Sequence, residues 1–205
     1  MIVRRTVDIL GASVCLLLAS PLLLVTAVSI YLTDFGPVLY LQERSGLFGR
    51  SFIVFKFRSM RVNTLAYDDV TEIRSGHPLV TPVGNLIRRF KIDELPQMIN
   101  VLRGDMSLIG PRPTIPEQVE SYTPFQRRRL EIRPGLTGWA QINGGVEITW
   151  PERIMLDVWY IDHRSAWLDV LILIRTFSVV LLGEHSHPGP LKQAIGHARR
   201  QQAAS

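Results

Sequence analysis

The most extended apolar pattern in the chain lies near its start. Residues 9–33 form a run of 25 residues without a charged side chain, and a transmembrane helix needs about 20. A signal peptide is the competing interpretation because Arg4 and Arg5 precede the run. The run exceeds an ordinary signal-peptide core of about 7–15 residues, and no small-x-small cleavage site follows it. The pattern therefore favours a retained membrane segment.

Ser20 and Pro21 lie near the middle of this run. Proline removes a helical hydrogen bond and disfavours helix at the preceding residue, so two structures are open: a kinked spanning helix or a re-entrant hairpin that turns at Ser20-Pro21. Basic residues flank the run on both sides, and cytoplasmic flanks carry the Lys/Arg excess. Each half of about 12 residues also falls short of a membrane core of about 30 Å. The charge pattern favours the re-entrant hairpin, over residues 1–34.

Short periodic segments follow the membrane run. Two stretches rich in β-branched and aromatic residues, 37–43 and 52–57, flank a loop with two glycines and predict a β-hairpin. Apolar residues at helical spacing from Leu95 to Leu102 predict a helix that ends at Gly104. Helices are predicted over residues 85–90, 94–102, 114–122, 124–132 and 151–163.

The remaining segments complete a prediction of fold class. Residues 61–81 have no strong period and predict a connection, and residues 133–145 hold enough glycine and proline to predict a loop. Residues 167–183 are apolar but carry Asp169 and Arg175, which favours a buried or interface-lying amphipathic helix. The pattern predicts an α+β fold, mainly helical with a small β-hairpin, with a main domain over 35–183 and a disordered polar tail over 184–205.

Composition narrows the class of partner. The 205 residues carry a net charge of +5, which favours nucleic acid, phosphorylated substrates or an anionic lipid surface. The single cysteine, Cys15, excludes an internal disulfide. No histidine pair has a trustworthy metal-ligand spacing, and neither a phosphate-binding P-loop nor a Ser-His-Asp arrangement is present.

The first candidate for chemistry is Asp93-Glu94. Aspartate is a favoured helix cap and glutamate suits a first helical turn, so a purely structural role is open. Arg88, Arg89 and Lys91 lie just before the pair. Such cations would hold phosphates beside a metal, and magnesium takes one or two carboxylates plus substrate phosphates.

Two further groups of cations could bind phosphate. Pro111 and Pro113 stiffen the backbone around Arg112, and a rigid arginine is a good phosphate ligand. Lys56 and Arg58 alternate along the second predicted strand, which directs both to one face. A stiff turn and a solvated strand face are the competing interpretations. The glycines of residues 133–138 could let the backbone approach a ligand, although this signal alone is weak.

Taken together, these segments resemble the bacterial sugar transferases, the small monotopic polyprenyl-phosphate phosphoglycosyl transferases, over roughly residues 4–183. The matching segments are Gly36-Pro37-Val38, Gln42-Glu43-Arg44, Phe55-Lys56-Phe57-Arg58-Ser59-Met60, Asp93-Glu94-Leu95-Pro96-Gln97, Asn100-Val101-Leu102, Gly104-Asp105-Met106-Ser107-Leu108-Ile109-Gly110-Pro111-Arg112-Pro113, Arg133-Pro134-Gly135-Leu136-Thr137-Gly138-Trp139-Ala140-Gln141 and Trp167-Leu168-Asp169.

The resemblance implies a mechanism. Asp93 corresponds to a nucleophile that attacks the β-phosphate of a UDP-sugar, and Glu94 to a magnesium ligand. Lys56, Arg88 and Arg112 fall where the family has phosphate-binding cations, and Asp169 matches another acidic position. The phosphosugar would pass through Asp93 to polyprenyl (undecaprenyl) phosphate, the first membrane step of glycoconjugate biosynthesis.

The resemblance also implies a location and partners. The membrane segment would re-enter at Ser20-Pro21 and leave the catalytic domain on the cytoplasmic face of a bacterial inner membrane. Partners would be a UDP-sugar, polyprenyl phosphate, membrane lipid and a second copy of the chain in a homodimer, with no nucleic acid. One departure is Gly145, where the family often has arginine after Asn-Gly, which leaves the sugar open.

Two other functions stay open from the sequence. A membrane-anchored protein could use the positive charge to bind nucleic acid or anionic lipid. A membrane phosphohydrolase could work through an aspartyl phosphate. DNA binding that survives loss of Asp93 would favour the first, and release of free sugar phosphate without a lipid acceptor would favour the second.

Overall fold

The computed structural model describes residues 2–62, 77–183 and 186–204. It is 65% helical, which confirms the mainly helical prediction. The helices are α1 (Ile2–Thr33), α2 (Pro82–Arg89), α3 (Met98–Arg103), α4 (Pro116–Glu120), α5 (Pro124–Arg127), α6 (Trp139–Ile142), α7 (Trp150–His163), α8 (Ala166–Leu182) and α9 (Pro188–Ala204). The strands are β1 (Leu39–Ser45), β2 (Ser51–Phe57), β3 (Ser107–Ile109) and β4 (Gly135–Thr137). Short 3₁₀ helices cover Leu47–Gly49, Ile92–Gln97, Arg128–Leu130 and Gly145–Glu147.

The chain divides into two compact units, each described by itself. The N-terminal unit comprises Met1–Glu43 and Ile53–Gly104, and the C-terminal unit comprises Arg44–Phe52 and Asp105–Ser205. This division differs from the predicted boundaries at residues 34 and 183. The predicted hairpin is confirmed as the antiparallel pair β1–β2. Most of the predicted connection, residues 63–76, lies outside the described residues.

Helix α1 keeps a helical backbone through Ser20 and Pro21, so the predicted turn is not seen. Pro21 has no N–H to donate to the carbonyl of Leu17. The Ser20 hydroxyl donates to that carbonyl instead, at 2.8 Å. This local replacement explains how the helix tolerates the proline. The re-entrant path of α1 stays a prediction and is taken up below.

One face of α1 is covered and the other is exposed. Asp8, Ala12, Thr26 and Ile30 are buried, and their spacing places them on one side of a helix. The opposite side exposes leucines and valines, among them Leu18, which is 76% exposed. By length and composition, α1 is apolar enough to cross a membrane.

In the N-terminal unit, a buried side chain of α3 connects this helix to strand β2. Asn100, on α3, donates to the carbonyl of Ile53 at 2.7 Å and accepts from the amide of Phe55 at 3.1 Å. The side-chain amide of Asn100 is fully buried. It forms with the backbone of β2 the hydrogen bonds that a neighbouring strand would otherwise form. Helix α3 ends at Gly104 in a left-handed conformation (φ 90°), as the sequence predicts.

The C-terminal unit is built around α7. Its core includes Leu156 and Tyr160 of α7 together with Trp139, Ile142 and Ile172. The sequence predicts only a loop over residues 133–145, and this is wrong in part because β4 and α6 form there. Strand β4 pairs in parallel with β3, in the register Ser107↔Gly135 and Ile109↔Thr137.

The predicted disordered tail is wrong over most of its length. Residues Pro188–Ala204 form α9, and Ala194 and Ala198 are buried, Ala194 within the same core as Trp139. Asp162 of α7 accepts hydrogen bonds from His197 at 2.7 Å and from Gln201 at 2.9 Å, which fixes α9 against α7. Alanines carry little hydrophobic signal, so the burial of this helix depends on the surface that receives it.

Helix α8 confirms the predicted helix over residues 167–183. One face of α8 is buried and the opposite face is exposed. Leu168 and Ile172 are buried, whereas Trp167, Phe177 and Leu182 are each more than 70% exposed. A helix with large exposed apolar residues on one face is typical of an interfacial element.

Candidate active site

Local backbone geometry sets the position of Asp93. Helix α2 begins at the Thr81 cap, whose hydroxyl accepts from the amide of Gly84 at 2.9 Å. Gly84 packs so closely on the backbone of Ser59 that a Cβ would collide with the Ser59 carbonyl. After α2, Lys91 adopts a left-handed conformation (φ 56°), which turns the chain into the 3₁₀ helix that carries Asp93 and Glu94. A bulky residue in this conformation is uncommon and marks strain.

Asp93 is not a helix cap. The cap position of Ile92–Gln97 is Lys91, and no side chain caps this helix. The Oδ1 atom of Asp93 is buried and has no hydrogen-bond partner within the described part of the chain. Burial and the neighbouring Glu94 raise the pKa of Asp93 to about 6, while Lys56, Arg88 and Lys91 act in the opposite direction. Among the described residues, the carboxylate of Asp93 thus keeps one unpaired oxygen, with three cations and the Glu94 carboxylate around it.

The cations around the pair are held in place by other side chains. Lys56 Nζ lies 3.3 Å from Glu94 Oε1. Arg88 Nε donates to the Ser59 hydroxyl at 2.7 Å, and burial lowers the pKa of Arg88 against the effect of the two carboxylates. The structure therefore brings together four predicted site residues: Lys56, Arg88, Asp93 and Glu94.

Arg58 faces a different partner. Its guanidinium donates to the carbonyl of Asp34, just after α1, and lies 3.9 Å from the Asp34 carboxylate. Asp34 also accepts from the amide of Val62 at 2.9 Å. Arg58 thus attaches the end of α1 to the end of β2, and its predicted substrate contact remains a prediction.

In the C-terminal unit, two predicted motifs meet through their glycines. A Cβ on Gly110 would collide with the carbonyl of Arg133, and a Cβ on Gly138 with the carbonyl of Gly110. The amide of Gly110 donates to the Thr137 carbonyl at 2.9 Å, and that of Gly135 to the Pro111 carbonyl at 2.8 Å. These glycines serve the approach of two backbone segments, which accounts for them without a ligand.

Arg112 and Asp169 both belong to this second unit. Arg112, between Pro111 and Pro113, is half-buried, and its carbonyl accepts from Arg129 Nη2 at 2.9 Å. Asp169 lies in the first turn of α8 and accepts from the Tyr160 hydroxyl at 2.6 Å. Their predicted contacts with substrate stay predictions.

The residues around Asp93 fit a magnesium ion. Two adjacent carboxylates, one with an oxygen that lacks a partner among the described residues, provide the one or two acidic ligands that magnesium takes beside substrate phosphates. The described residues contain no group of three or more acidic, histidine or cysteine ligands.

Sequence reasoning did not assign two residues of this cluster. Ser59 orients Arg88, and Lys91 combines a strained backbone with a charge that lowers the pKa of Asp93. The sequence shows that Lys91 belongs to the basic cluster before Asp93, but no sequence pattern predicts its left-handed backbone conformation. Ser59 could be found only through the fold, since it is 29 residues from Arg88.

Comparison with known proteins identifies the family of the chain. The sequence profile described as "Bacterial sugar transferase" matches residues 1–183. The chain is 43% identical to "Uncharacterized sugar transferase EpsL" of Bacillus subtilis, over 90% of each chain. It is 37% identical to "Exopolysaccharide production protein ExoY" of Rhizobium meliloti, over 90% of this chain and 88% of the relative.

A longer relative carries a specific name. The chain is 44% identical to "UDP-N-acetylgalactosamine-undecaprenyl-phosphate N-acetylgalactosaminephosphotransferase" of Aeromonas hydrophila, over 88% of this chain but only 44% of the relative. The protein belongs to the bacterial sugar transferase family. It is an enzyme, a phosphoglycosyl transferase.

Proposed function

We propose that this enzyme transfers a sugar phosphate from a UDP-sugar to undecaprenyl phosphate and releases UMP. The names of relatives from Aeromonas hydrophila, Caulobacter vibrioides and Escherichia coli specify UDP-sugar donors and an undecaprenyl phosphate acceptor. The observation that carries the proposal is the carboxylate of Asp93, which keeps a buried oxygen without a hydrogen-bond partner in the described chain beside three cations.

The reaction would proceed in two displacements. An Asp93 oxygen attacks the β-phosphorus of the donor, a P–O bond forms to Asp93, and the bond to the bridging oxygen breaks to release UMP. An oxygen of undecaprenyl phosphate then attacks the same phosphorus, which frees Asp93 and yields the lipid-linked diphosphate sugar. A carboxylate nucleophile divides one difficult transfer into two easier steps.

The neighbouring side chains would supply the electrostatics of the reaction. Phosphoryl transfer depends mainly on positioning and on neutralisation of charge. Lys56 and Arg88, oriented by Glu94 and Ser59, would bind the anionic oxygens of the donor. We propose that Glu94 would hold a magnesium ion, which neutralises diphosphate charge when bound.

The membrane segment supports a one-sided arrangement. A helix of 32 residues extends about 48 Å when straight, more than a membrane core of about 30 Å. Both ends of α1 nevertheless contact the same unit: Arg5 donates to the carbonyls of Val101 and Leu102, and Ile30 packs with Phe57 and Ile87. We therefore propose that α1 bends at Pro21, re-enters, and leaves the enzyme on the cytoplasmic face of the inner membrane.

The experiment is intact-protein mass spectrometry after incubation with magnesium and each of UDP-glucose, UDP-galactose and UDP-N-acetylgalactosamine, without lipid. We expect about one phosphosugar adduct and one UMP per active enzyme, and discharge of the adduct by undecaprenyl phosphate. Asp93→Asn should abolish both, because an amide is a poor nucleophile of nearly equal size.

Asp162→Asn is the matched control, since Asp162 bonds only to structural partners in the described chain: Arg128, His197 and Gln201. It should form the adduct normally. Turnover without an adduct would replace the covalent mechanism by direct transfer. Steady release of free sugar phosphate without lipid would instead identify a phosphohydrolase.

A further inference from the structure

One arginine of the C-terminal unit is buried at a considerable electrostatic cost. The side chain of Arg129 is 1% exposed, and its Nη2 atom lies 2.8 Å from Asp157 Oδ2. Its Nη1 atom donates to the Tyr122 hydroxyl at 2.8 Å, and the guanidinium stacks 4.7 Å from the ring centroid of Trp150. Burial of an ion pair costs desolvation energy that often exceeds the attraction between the charges. Stability alone is therefore a weak reason for this pair.

The buried guanidinium has a third acceptor, the carbonyl of Arg112. Arg129 Nη2 donates to this carbonyl at 2.9 Å. On either side of it, the Pro111 carbonyl accepts from the amide of Gly135 and the Thr114 carbonyl accepts from the amide of Ser45, both at 2.8 Å. Backbone amides thus fix the peptide that precedes Arg112 and the peptide that follows Thr114, while a side chain fixes the carbonyl of Arg112.

We propose that Arg129 is a positioning residue for Arg112. By holding the Arg112 carbonyl, Arg129 sets the rotation of the peptide from which the Arg112 side chain projects. Pro113 confines the ψ torsion of Arg112 to a range of about 40°, and the hydrogen bond from Arg129 selects one carbonyl direction within that range. This inference rests on the proposed function and on the role that the family resemblance implies for Arg112, a cation that binds phosphate.

The positions of these three acceptors require the planar, forked guanidinium group of an arginine. Its two terminal nitrogens reach Asp157, Tyr122 and the Arg112 carbonyl at once. A lysine would retain the charge beside Asp157 but has one compact ammonium group in place of a planar fork. Arg129→Lys should therefore keep the ion pair and lose the hold on Arg112.

The chain offers a closely matched control in the preceding residue. Arg128 also pairs with an aspartate of α7, with Nη2 2.5 Å from Asp162 Oδ1. Among the described residues, its other partners are Glu131 and Gln201, neither of which belongs to the Arg112 segment. Arg128→Lys therefore reproduces the chemical change, one residue away, without affecting the Arg112 carbonyl.

The test measures binding of UDP with magnesium by titration calorimetry, on the full chain in detergent. The variants are Arg112→Ala, Arg129→Lys, Arg128→Lys and the double variant Arg112→Ala/Arg129→Lys, each with its melting temperature. We expect Arg112→Ala to weaken binding by about tenfold or more, as for loss of a charged hydrogen bond. Arg129→Lys should weaken it about fivefold on the same scale, and Arg128→Lys by less than about twofold.

The double variant decides between positioning and general structure. If Arg129 acts through Arg112, the double variant should bind UDP as Arg112→Ala does, because the effects of coupled residues do not add. Additive losses, or equal effects of the two lysine variants, would overturn the inference.

The Arg112→Ala variant alone tests whether Arg112 binds phosphate. If this variant binds UDP as the wild type does, Arg112 does not have this role, and the inference about Arg129 is then wrong as well. A wild type that does not bind UDP contradicts the proposed donor class itself.

A second variant covers the case in which Arg129→Lys does not fold. Tyr122→Phe removes the hydroxyl that accepts from Arg129 and donates to Thr114 Oγ1 at 3.2 Å, while it keeps the ring. A weaker loss of UDP affinity is expected, and it should disappear in the Arg112→Ala background. Unchanged affinity in a folded Tyr122→Phe variant, together with an unfolded Arg129→Lys variant, would assign Arg129 to stability alone.

Discussion

Lys56 Nζ lies 3.3 Å from Glu94 Oε1, so the cation on β2 pairs with the second carboxylate of the acidic pair while Asp93 keeps a buried oxygen without a partner in the described chain. This arrangement is compatible with the two proposed roles. Glu94, which pairs with Lys56, is the proposed metal ligand, and Asp93 is the proposed nucleophile.

Replacement of Lys56 should have opposite effects on metal and on donor. Lys56→Met removes the positive charge beside Glu94, so the magnesium concentration for half-maximal activity should fall. The donor KM should rise, because a phosphate-binding cation is lost. Both values are measured by UMP release, with Lys192→Met on the exposed face of α9 as the remote control. An increase in both values would show that Lys56 supports the metal site.

Replacement of Glu94 tests the metal ligand itself. Glu94→Gln removes a charge with little change of volume, and turnover should fall by about a hundredfold or more, as for displaced catalytic groups. Added magnesium should restore only part of the activity, and the melting temperature should stay near that of the wild type. Full activity at low magnesium would exclude Glu94 as a ligand.

The path of α1 predicts the same accessibility for both ends of the chain. Single cysteines at position 2 and position 203, in a Cys15→Ser background, should both react with an impermeant maleimide only from the cytoplasmic side. Pro21→Ala removes the residue at which the bend is proposed and should convert part of the population to a spanning form. Opposite accessibility of the two wild-type ends would exclude the re-entrant path.

Helix α9 should contribute to stability through its buried alanines. Ala198 is 1% exposed, so Ala198→Leu should overpack the contact with α7 and destabilise the fold by about 1–3 kcal/mol. Ala203→Leu, on the exposed end of the same helix, is the control and should change stability by less than about 0.5 kcal/mol. Equal melting temperatures of the two variants would contradict the packing of α9.

The buried Asp157 predicts a pH-dependent stability. Burial raises the pKa of Asp157 to about 6, against the opposing charges of Arg129 and Arg153. The folded state then binds a proton more tightly than the unfolded state, whose pKa is near 3.8. Between these two pKa values the free energy of unfolding should fall as pH rises, by at most about 1.4 kcal/mol per pH unit from this group.

Asp157→Asn isolates this effect, because Asp93 also titrates near pH 6. The variant should lack the Asp157 contribution, so its melting temperature should rise relative to the wild type between pH 4 and pH 7. A wild type that gains stability over the variant in this range would show that the attraction to Arg129 exceeds the cost of burial.

Short-range patterns were sufficient for much of the fold. The uncharged run predicted α1, and two stretches rich in β-branched and aromatic residues around a glycine loop predicted the β1–β2 hairpin. A glycine with left-handed freedom marked the end of α3 at Gly104. Each of these signals is local, because it depends on the periodicity or backbone freedom of neighbouring residues. The acidic pair with its basic neighbours also identified the candidate site from the sequence alone.

Tertiary structure alone decided which partners the polar residues take. Lys56 and Arg58 are equivalent in the strand pattern, yet one pairs with Glu94 and the other with Asp34. Likewise, nothing in the run of residues 127–129 distinguishes Arg129, whose burial depends on Asp157, 28 residues away. The alanine-lined α9 is fixed by the surface of α7 and has little apolar signal of its own. Sequence pattern specifies which face of an element is apolar, but long-range packing determines which charge that element meets, because a side chain's partner depends on the path of the whole chain.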